Sequence, residues 1–411
     1  MSDADSLKVP FSRPSISQEE NLALCSVLRS GWLTTGKEAL AFENEFSYFM
    51  NHVDDDVCSA RKAAGLDDRD VTSLAVNSAT SGMILAMEAC GVKKGTAVIT
   101  TPYTFVSTAA CARHLGADVL FADIEKDSYS IDVDKVEELL AADKEKKIVA
   151  VVPVHIAGNL CDMERLVKAA KKHNVKVIED AAHAFPSLSG LGYAGTIGDA
   201  GVFSFYVTKT MTTAEGGMVC VRDKALAKRM AVMRMHGMDR TTWDRYTSPR
   251  ASWEYDIVDL GWKFNLPDLL ATLGRVQLKR SEEFFEKRKK IVSFYNKEFS
   301  GLDFVQLPPD GKGNAWHLYL MRLNLDALKI GRDAFAKALQ KEGIGISVHF
   351  IPLFRFTYWK KLDPNFTAEN FPNAARQYER TISLPLWPDM TEDMAREVVT
   401  AVKKIGEENH A

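Results

Sequence analysis

The sequence has few cysteines, little net charge and no long apolar run, and each shortage excludes a class of protein. Its 411 residues include six cysteines without a C-x-x-C pair, so we expect reduced, mostly buried thiols and neither a disulfide framework nor a metal site. The formal net charge is only −3, whereas a general nucleic-acid binder is strongly basic. No stretch approaches the ~20 apolar residues that cross a bilayer. Residues 1–8 are polar and acidic, unlike a secretory signal. We therefore expect a cytoplasmic protein with no nucleic-acid and no membrane partner.

The composition is that of a globular protein, and residues 73–222 alternate between strand and helix patterns. Hydrophobic residues make up 46% of the chain and charged residues 26%. The β-rich runs are 73–76, 97–101, 119–123, 148–154, 175–179, 201–205 and 218–221. Predicted helices over 82–89, 107–115, 133–141 and 163–173 separate most of them. This alternation predicts an α/β fold with a mainly parallel sheet. Only a short loop separates the last two runs, so one of these strands is expected to be antiparallel.

The flanking segments have their own patterns. A capping box from Ser17 to Glu20 predicts the start of the first helix. Pro267 opens a helical pattern that continues to about Phe299, long enough to bridge to a second domain. Strand patterns at 315–323 and 344–350 and helix patterns at 332–342 and 391–405 then predict a smaller α+β domain. The aspartate-rich stretch 51–72 is expected to be a solvated surface insertion, since its spacing does not fit a calcium loop.

Ligands of parallel α/β sheets gather at the carboxyl ends of the strands, so the residues that follow each strand deserve most weight. Asn77 to Gly82 follow the first strand and enter a helix, a place suited to phosphate. Taken alone this pattern is weak, because Ser and Thr cap many helices that bind nothing. Phe105 follows the second strand, and it either stacks on a flat heterocycle or belongs to the core. His155 follows the fourth strand, where a lone histidine is more often structural.

Two charged residues complete the pattern. Asp180 ends the fifth strand and either caps the next helix or pairs with a protonated ring nitrogen. Lys209 follows a buried strand between two threonines and is either a surface charge or a crevice residue. A lysine, a carboxylate, a flat partner and a helix N-terminus together suit pyridoxal 5′-phosphate (PLP). No G-x-G-x-x-G follows the first strand, which argues against a nucleotide-binding oxidoreductase.

From about Val9 to Lys404 the sequence resembles the DegT/StrS-type sugar aminotransferases, a branch of the fold-type I PLP-dependent enzymes. The resemblance is carried by GWLTTG (31–36), NSATSGM (77–83), TPYTF (101–105), PVHIAG (153–158), EDAAHA (179–184), GDAGVFSF (198–205), EGG (215–217) and RMHGM (234–238). It implies a large, mainly parallel seven-stranded PLP-binding domain over 37–265. An N-terminal segment over 1–36 would precede it, and a bridging helix with a small C-terminal α+β domain over 266–411 would follow.

The resemblance also implies a role for each matching residue. Lys209 and Asp180 would be catalytic: Lys209 would form the Schiff base with PLP and move the proton, and Asp180 would hold the ring nitrogen protonated. The other cofactor-binding positions would be Phe105 on the ring face, His183 near the ring hydroxyl, and Ala79, Thr80 and Ser204 at the phosphate. Asn265 would bind the phosphate of the neighbouring subunit's cofactor in a homodimer with shared active sites. His349 would lie near the nucleotide-sugar pocket.

The implied reaction transfers the amino group of glutamate to a keto sugar on a nucleotide, for cell-surface polysaccharide or lipid biosynthesis. Likeness to UDP-4-amino-4-deoxy-L-arabinose aminotransferase and related 4-amino-sugar enzymes favours a UDP-linked 4-keto sugar. Relatives that dehydrate sugars carry histidine at the position of Lys209, so its lysine favours transamination. The alternatives are a sugar dehydratase or a PLP-binding regulator on the same fold. Two departures concern substrate choice: the long insertion 51–72, and the run 351–354, which lacks a second histidine after His349.

Overall fold

The computed structural model describes residues 7–240, 253–309, 311 and 313–411, so the predicted segment 1–36 begins outside the described residues. The helices are α1 (Gln18–Ser30), α2 (Lys37–Asn51), α3 (Asp55–Ala63), α4 (Ala79–Ala89), α5 (Val106–His114), α6 (Val133–Ala142), α7 (Met163–His173), α8 (Lys224–Met233), α9 (Asp268–Lys279), α10 (Ser281–Phe299), α11 (Arg332–Lys341), α12 (Thr357–Leu362), α13 (Pro372–Arg380) and α14 (Glu392–Glu408). The strands are β1 (Thr72–Val76), β2 (Ala97–Thr100), β3 (Asp118–Phe121), β4 (Ile148–Val151), β5 (Lys176–Asp180), β6 (Leu188–Ser189), β7 (Gly192–Tyr193), β8 (Ala200–Ser204), β9 (Gly217–Val221), β10 (Val305–Gln306), β11 (Tyr319–Leu323) and β12 (Thr381–Leu384).

The central sheet has seven strands in the order β1-β9-β8-β5-β4-β2-β3. The four pairings from β8 to β3 are parallel, whereas β9 is antiparallel to both β1 and β8. The predicted α/β fold, the mainly parallel sheet and the antiparallel strand near residue 218 are therefore confirmed. Parallel strands joined through helices have their carboxyl ends at one edge, and this edge carries the loops after β2, β5 and β8.

Both faces of the sheet are covered, which explains why its strands are apolar throughout. In β8, Val202 packs into one buried cluster and the adjacent Phe203 into another, because successive side chains point to opposite faces. Phe42 and Phe46 of α2 cover the Phe203 face. A strand buried on both faces reads as a continuous hydrophobic run, the pattern that identified it in the sequence.

The C-terminal part contains the antiparallel sheet β10-β11-β12 and a separate hydrophobic core. The long helical pattern after Pro267 corresponds to two consecutive helices, α9 and α10, which are separated at Arg280. The prediction of a strand over 344–350 is wrong. Its backbone changes partner instead of forming a ladder: Ile344 bridges to Val9 on one side, and Ser347 bridges to Ser383 on the other.

The acidic stretch 51–72 is more than a solvated insertion. Most of α3 is exposed, but Val57 and Arg61 are buried. The Arg61 guanidinium donates hydrogen bonds to the carbonyl oxygens of Leu191 (2.7 Å), Thr196 (3.2 Å) and Asp67 (2.6 Å). These bonds dock the segment on the large domain, a contact that local sequence pattern could not predict.

The described residues also bear on membranes and cysteines. Among them, no helix combines the length and the apolar character needed to cross a membrane. All six cysteines are free; Cys25 and Cys58 are exposed, and the other four are buried as expected.

Candidate active site

A cavity of about 470 Å³ lies at the carboxyl edge of the central sheet. Eight of the predicted site residues line it: Ala79, Thr80, Phe105, Asp180, His183, Ser204, Lys209 and His349. They come from loops that follow different strands and from the C-terminal part of the chain. The fold thus gathers residues that are up to 270 positions apart, from Ala79 to His349, around one space.

Lys209 follows β8 in a tight turn. Its backbone N–H donates to the carbonyl oxygen of Tyr206 at 2.9 Å, and its side chain is half-buried in the cavity. Burial lowers the pKa of Lys209 to about 8, although the nearby Asp180 carboxylate opposes this shift. A substantial fraction of this amine is therefore neutral near pH 8, which a nucleophile or a general base requires.

Asp180 ends β5 and is buried beneath the cavity. Its Oδ2 accepts a hydrogen bond from the Thr108 hydroxyl at 2.7 Å, and its Oδ1 accepts one from the Ala182 N–H at 3.2 Å. Burial raises the pKa of Asp180, while these hydrogen bonds and Lys209 counteract the rise. A buried carboxylate with so few donors is suited to a cationic partner in the cavity.

The N-terminus of α4 points two free backbone donors at the cavity. Ser78 caps the helix by accepting from the Ser81 N–H at 3.1 Å. Within the described residues, the N–H groups of Ala79 and Thr80 have no hydrogen-bond partner. Gly217 of β9 permits this arrangement, because a Cβ there would lie 2.8 Å from the Ala79 nitrogen. Free amides and the helix dipole make this end an anion site.

Three histidines, His183, His317 and His349, line the cavity, and hydrogen bonding fixes the tautomer of His183. Nδ1 of His183 accepts the Ala157 N–H at 3.3 Å, so the neutral ring carries its proton on Nε2. Burial lowers the pKa of His183 well below its usual range, and Lys209 and His349 add to this effect. Burial, together with Lys209, also lowers the pKa of His349 to about 4. Both rings are therefore neutral at physiological pH.

Phe105 and Asn265 differ in their relation to the cavity. Phe105 lines it, yet 56% of its surface is exposed, which is unusual for a large aromatic side chain. Asn265 is absent from the lining of its own cavity. Its side chain instead hydrogen-bonds to Thr35 and Lys263.

Sequence reasoning missed several contributors to this site. Thr108 donates to Asp180 from 72 positions away, and no local motif marks it. His317 lines the cavity with its ring 4.4 Å from that of His183, and its buried Nδ1 has no partner among the described residues. Phe11 and Ser12 also line the cavity. His155, in contrast, has the structural role expected of a lone histidine: its Nε2 is 2.9 Å from the buried Glu179 carboxylate.

The described residues fit PLP on chemical grounds. The cavity offers an amine of lowered pKa, a buried carboxylate in need of a cation, free amides at a helix N-terminus and an exposed aromatic face. These are the partners required by the aldehyde, the ring nitrogen, the phosphate and the ring of PLP, respectively.

Comparison with known proteins leads to the same chemistry. Residues 68–403 match the sequence profile of the DegT/DnrJ/EryC1/StrS aminotransferase family. The spore coat polysaccharide biosynthesis protein SpsC of Bacillus subtilis is 38% identical over 401 residues, which is 97% of each chain.

Two solved structures extend the likeness to the fold. The PLP form of Spr1654 from Streptococcus pneumoniae, described as a sugar aminotransferase, superposes with a TM-score of 0.84 at 28% identity, covering 97% of this chain and 99% of the other. Helicobacter pylori PseC, an aminotransferase involved in pseudoaminic acid biosynthesis, has a TM-score of 0.83 at 27% identity, with the same coverage. The fold-type I architecture expected from the sequence is thereby confirmed.

Proposed function

Because this chain belongs to the DegT/DnrJ/EryC1/StrS aminotransferase family, whose cofactor is PLP, we propose that it transfers an amino group from glutamate to a nucleotide-linked keto sugar. The observation that carries the proposal is the meeting of Lys209, Asp180 and the free α4 N-terminus in one cavity. Aminotransferase activity and a sugar acceptor follow from the family. The nucleotide, which we propose is UDP, and the 4-keto position are finer proposals.

When bound, PLP supplies an electrophilic aldehyde and a ring that spreads negative charge. In our proposal, neutral Lys209 Nζ would hold PLP through its aldehyde. The same nitrogen, when free and neutral, would serve as the base that takes the proton from the α-carbon of the amino donor. Asp180 would hold the ring nitrogen protonated, and a cation there would oppose the pKa rise that burial causes in this carboxyl.

The remaining residues orient the cofactor and the substrate. We propose that the Ala79 and Thr80 amides and the Ser204 hydroxyl bind the phosphate, and that Phe105 covers one ring face. The His183 tautomer places a donor on Nε2, suited to the ring hydroxyl. His349 would face the nucleotide sugar. Glutamate leaves as 2-oxoglutarate, and the keto sugar leaves as the amino sugar.

The likeness to SpsC, whose name refers to spore coat polysaccharide biosynthesis, supports a role in surface-polysaccharide biosynthesis. The decisive experiment has two stages. Purified holoenzyme mixed with glutamate should lose the absorbance of the PLP aldehyde form and release 2-oxoglutarate. A panel of keto-sugar nucleotides should then be screened by mass spectrometry for the product that gains one amine.

Lys209→Ala should abolish both stages, and Lys135→Ala, which changes an exposed lysine of α6, should abolish neither. Activity of Lys209→Ala at the wild-type rate would contradict the proposal. A glutamate reaction without any aminated sugar would favour a PLP-binding regulator or an acceptor outside the panel. A dehydrated sugar product would favour the dehydratase.

We further propose a homodimer in which Asn265 serves the partner subunit's site. Asn265 stands outside its own cavity and hydrogen-bonds to Thr35 and Lys263, and large apolar side chains are exposed in the chain segments near these two partners. They are Leu28, Leu33, Leu40, Ile257, Val258 and Leu260. We propose that they meet in one patch, the kind of surface that marks a protein–protein interface.

Subunit mixing tests this arrangement. Lys209→Ala and Asn265→Ala chains should each be inactive or nearly so as homodimers. A heterodimer of the two holds one site with both residues intact and one with both lost, so mixing should restore activity. No recovery on proven heterodimer formation would contradict the shared site.

A further inference from the structure

Residues 7–16, which precede α1, form a segment that we call the N-terminal strap. No role was predicted for its side chains, and the proposal below rests on the function proposed above. The strap is held at both ends and crosses the cavity between them.

The first anchor is Val9, which is fully buried. Its N–H donates to the carbonyl oxygen of Gly343 at 3.1 Å, and its carbonyl oxygen accepts the Gly345 N–H at 2.7 Å. A Cβ at Gly345 would lie 2.5 Å from the Phe11 nitrogen. The strap thus lies directly on the backbone of the C-terminal part, with no space for a side chain between them.

The second anchor is Ser15, which is also buried. Its carbonyl oxygen accepts a hydrogen bond from the Gln277 side chain at 2.9 Å, and its hydroxyl accepts one from Arg280 at 3.0 Å. Glu20, at the start of α1, binds the same two side chains at 2.6 and 2.7 Å. This end of the strap is therefore fixed to the junction of α9 and α10.

Between the anchors, Phe11 and Ser12 line the cavity. The Phe11 ring is stacked on His349, with centroids 5.8 Å apart and planes inclined by 21°. His349 is itself held, because its Nδ1 lies 2.8 Å from the Ser383 hydroxyl and its carbonyl oxygen accepts from the Tyr103 hydroxyl at 2.9 Å. Phe11 and His349 therefore form a pre-organised aromatic platform.

An aromatic platform is suited to one of the two substrates of the reaction and not to the other. Glutamate is charged at both ends, so its recognition depends on charged groups and hydrogen-bond donors. A sugar ring has an apolar face of C–H groups rimmed by hydroxyls, and it gains from burial against an aromatic face. Ser12 adds a hydroxyl-bearing residue to the same lining. We propose that Phe11 and Ser12 recognise the acceptor sugar and determine acceptor specificity.

The test separates the two half-reactions. The rate and apparent affinity for glutamate are measured in single turnover from the cofactor spectrum, and those for the UDP-4-keto sugar from aminated product. Binding of UDP-glucose, an unreactive probe, is measured by equilibrium dialysis. The variants are Phe11→Ala, Phe11→Tyr and Ser12→Ala. Phe356→Ala, an exposed phenylalanine outside the cavity lining, is the matched control.

We expect Phe11→Ala to weaken acceptor and UDP-glucose affinity about ten-fold, with a much smaller change for glutamate. Phe11→Tyr should restore most of the loss, Ser12→Ala should have a smaller effect in the same direction, and Phe356→Ala should match wild type. Equal effects of Phe11→Ala on both substrates, or none on the acceptor, would overturn the inference. If wild type itself binds and aminates no nucleotide sugar, the proposed function fails first, and the inference fails with it.

Discussion

The strongest local prediction concerns Glu20, whose buried carboxylate holds the start of α1 and the adjacent strap in place. Its Oε2 accepts the Ser17 N–H at 2.7 Å, and its Oε1 accepts from Gln277 and Arg280 at 2.6 and 2.7 Å. Replacing Glu20 by Gln keeps the shape but removes the charge. It also places an amide donor where a carboxylate oxygen now accepts.

The magnitude follows from the pKa of Glu20. Burial alone would raise it, but hydrogen bonds from Ser17, Arg280 and Gln277 prevail and lower it from 4.5 to about 2. That difference corresponds to about 3 kcal/mol in favour of the ionised folded form. Because the pKa is lowered on folding, this stabilisation is complete above pH 4.5. It is lost as the pH falls towards 2.

Amide hydrogen exchange of residues 18–30, followed by mass spectrometry, measures how much stability helix α1 loses. At pH 7, Glu20→Gln should raise the opening of this helix by up to about 100-fold. Glu19→Gln is the matched control, because Glu19 is exposed in the same turn and only its backbone bonds to Ser17. As the pH falls to about 2, wild type should approach Glu20→Gln. Equal exchange in Glu20→Gln and Glu19→Gln at pH 7 would refute the reasoning. So would a difference between wild type and Glu20→Gln that is as large at pH 2 as at pH 7.

Three further predictions concern packing, a buried ion pair and the site lysine. Gly217→Ala should lower the melting temperature and cofactor retention, because its Cβ would lie 2.7 Å from a β8 backbone oxygen, whereas Gly190→Ala, with open space around it, should change neither. Arg234→Met should lower the free energy of unfolding in urea by about 3–5 kcal/mol, because the buried Glu43 carboxylate loses its positively charged partner. Adding Glu43→Met should restore part of this free energy. The rate of PLP uptake by cofactor-free protein should rise with pH and level off above about 8, where Lys209 becomes neutral; a pH-independent rate would contradict this.

The sequence alone determined the features that depend on neighbouring residues. Continuous apolar runs marked the strands of the central sheet within a few residues, and Ser17 and Glu20 marked the start of α1. Asp180 and Lys209 were found because the carboxyl ends of parallel strands meet at one edge, whatever the details of packing. For these features, chain-local pattern and a general rule of sheet topology were sufficient.

Only the tertiary structure decided the contacts between distant segments. The hydrogen bond from Thr108 to Asp180 and the strap residues Phe11 and Ser12 at the cavity have no local sequence signature. The prediction of a strand near Ile344 was wrong for the same reason. The backbone there pairs with Val9 at Ile344 and with Ser383 of the C-terminal sheet at Ser347. Hydrogen bonds between remote residues depend on where the whole chain places their partners. The local sequence pattern carries no information about that placement.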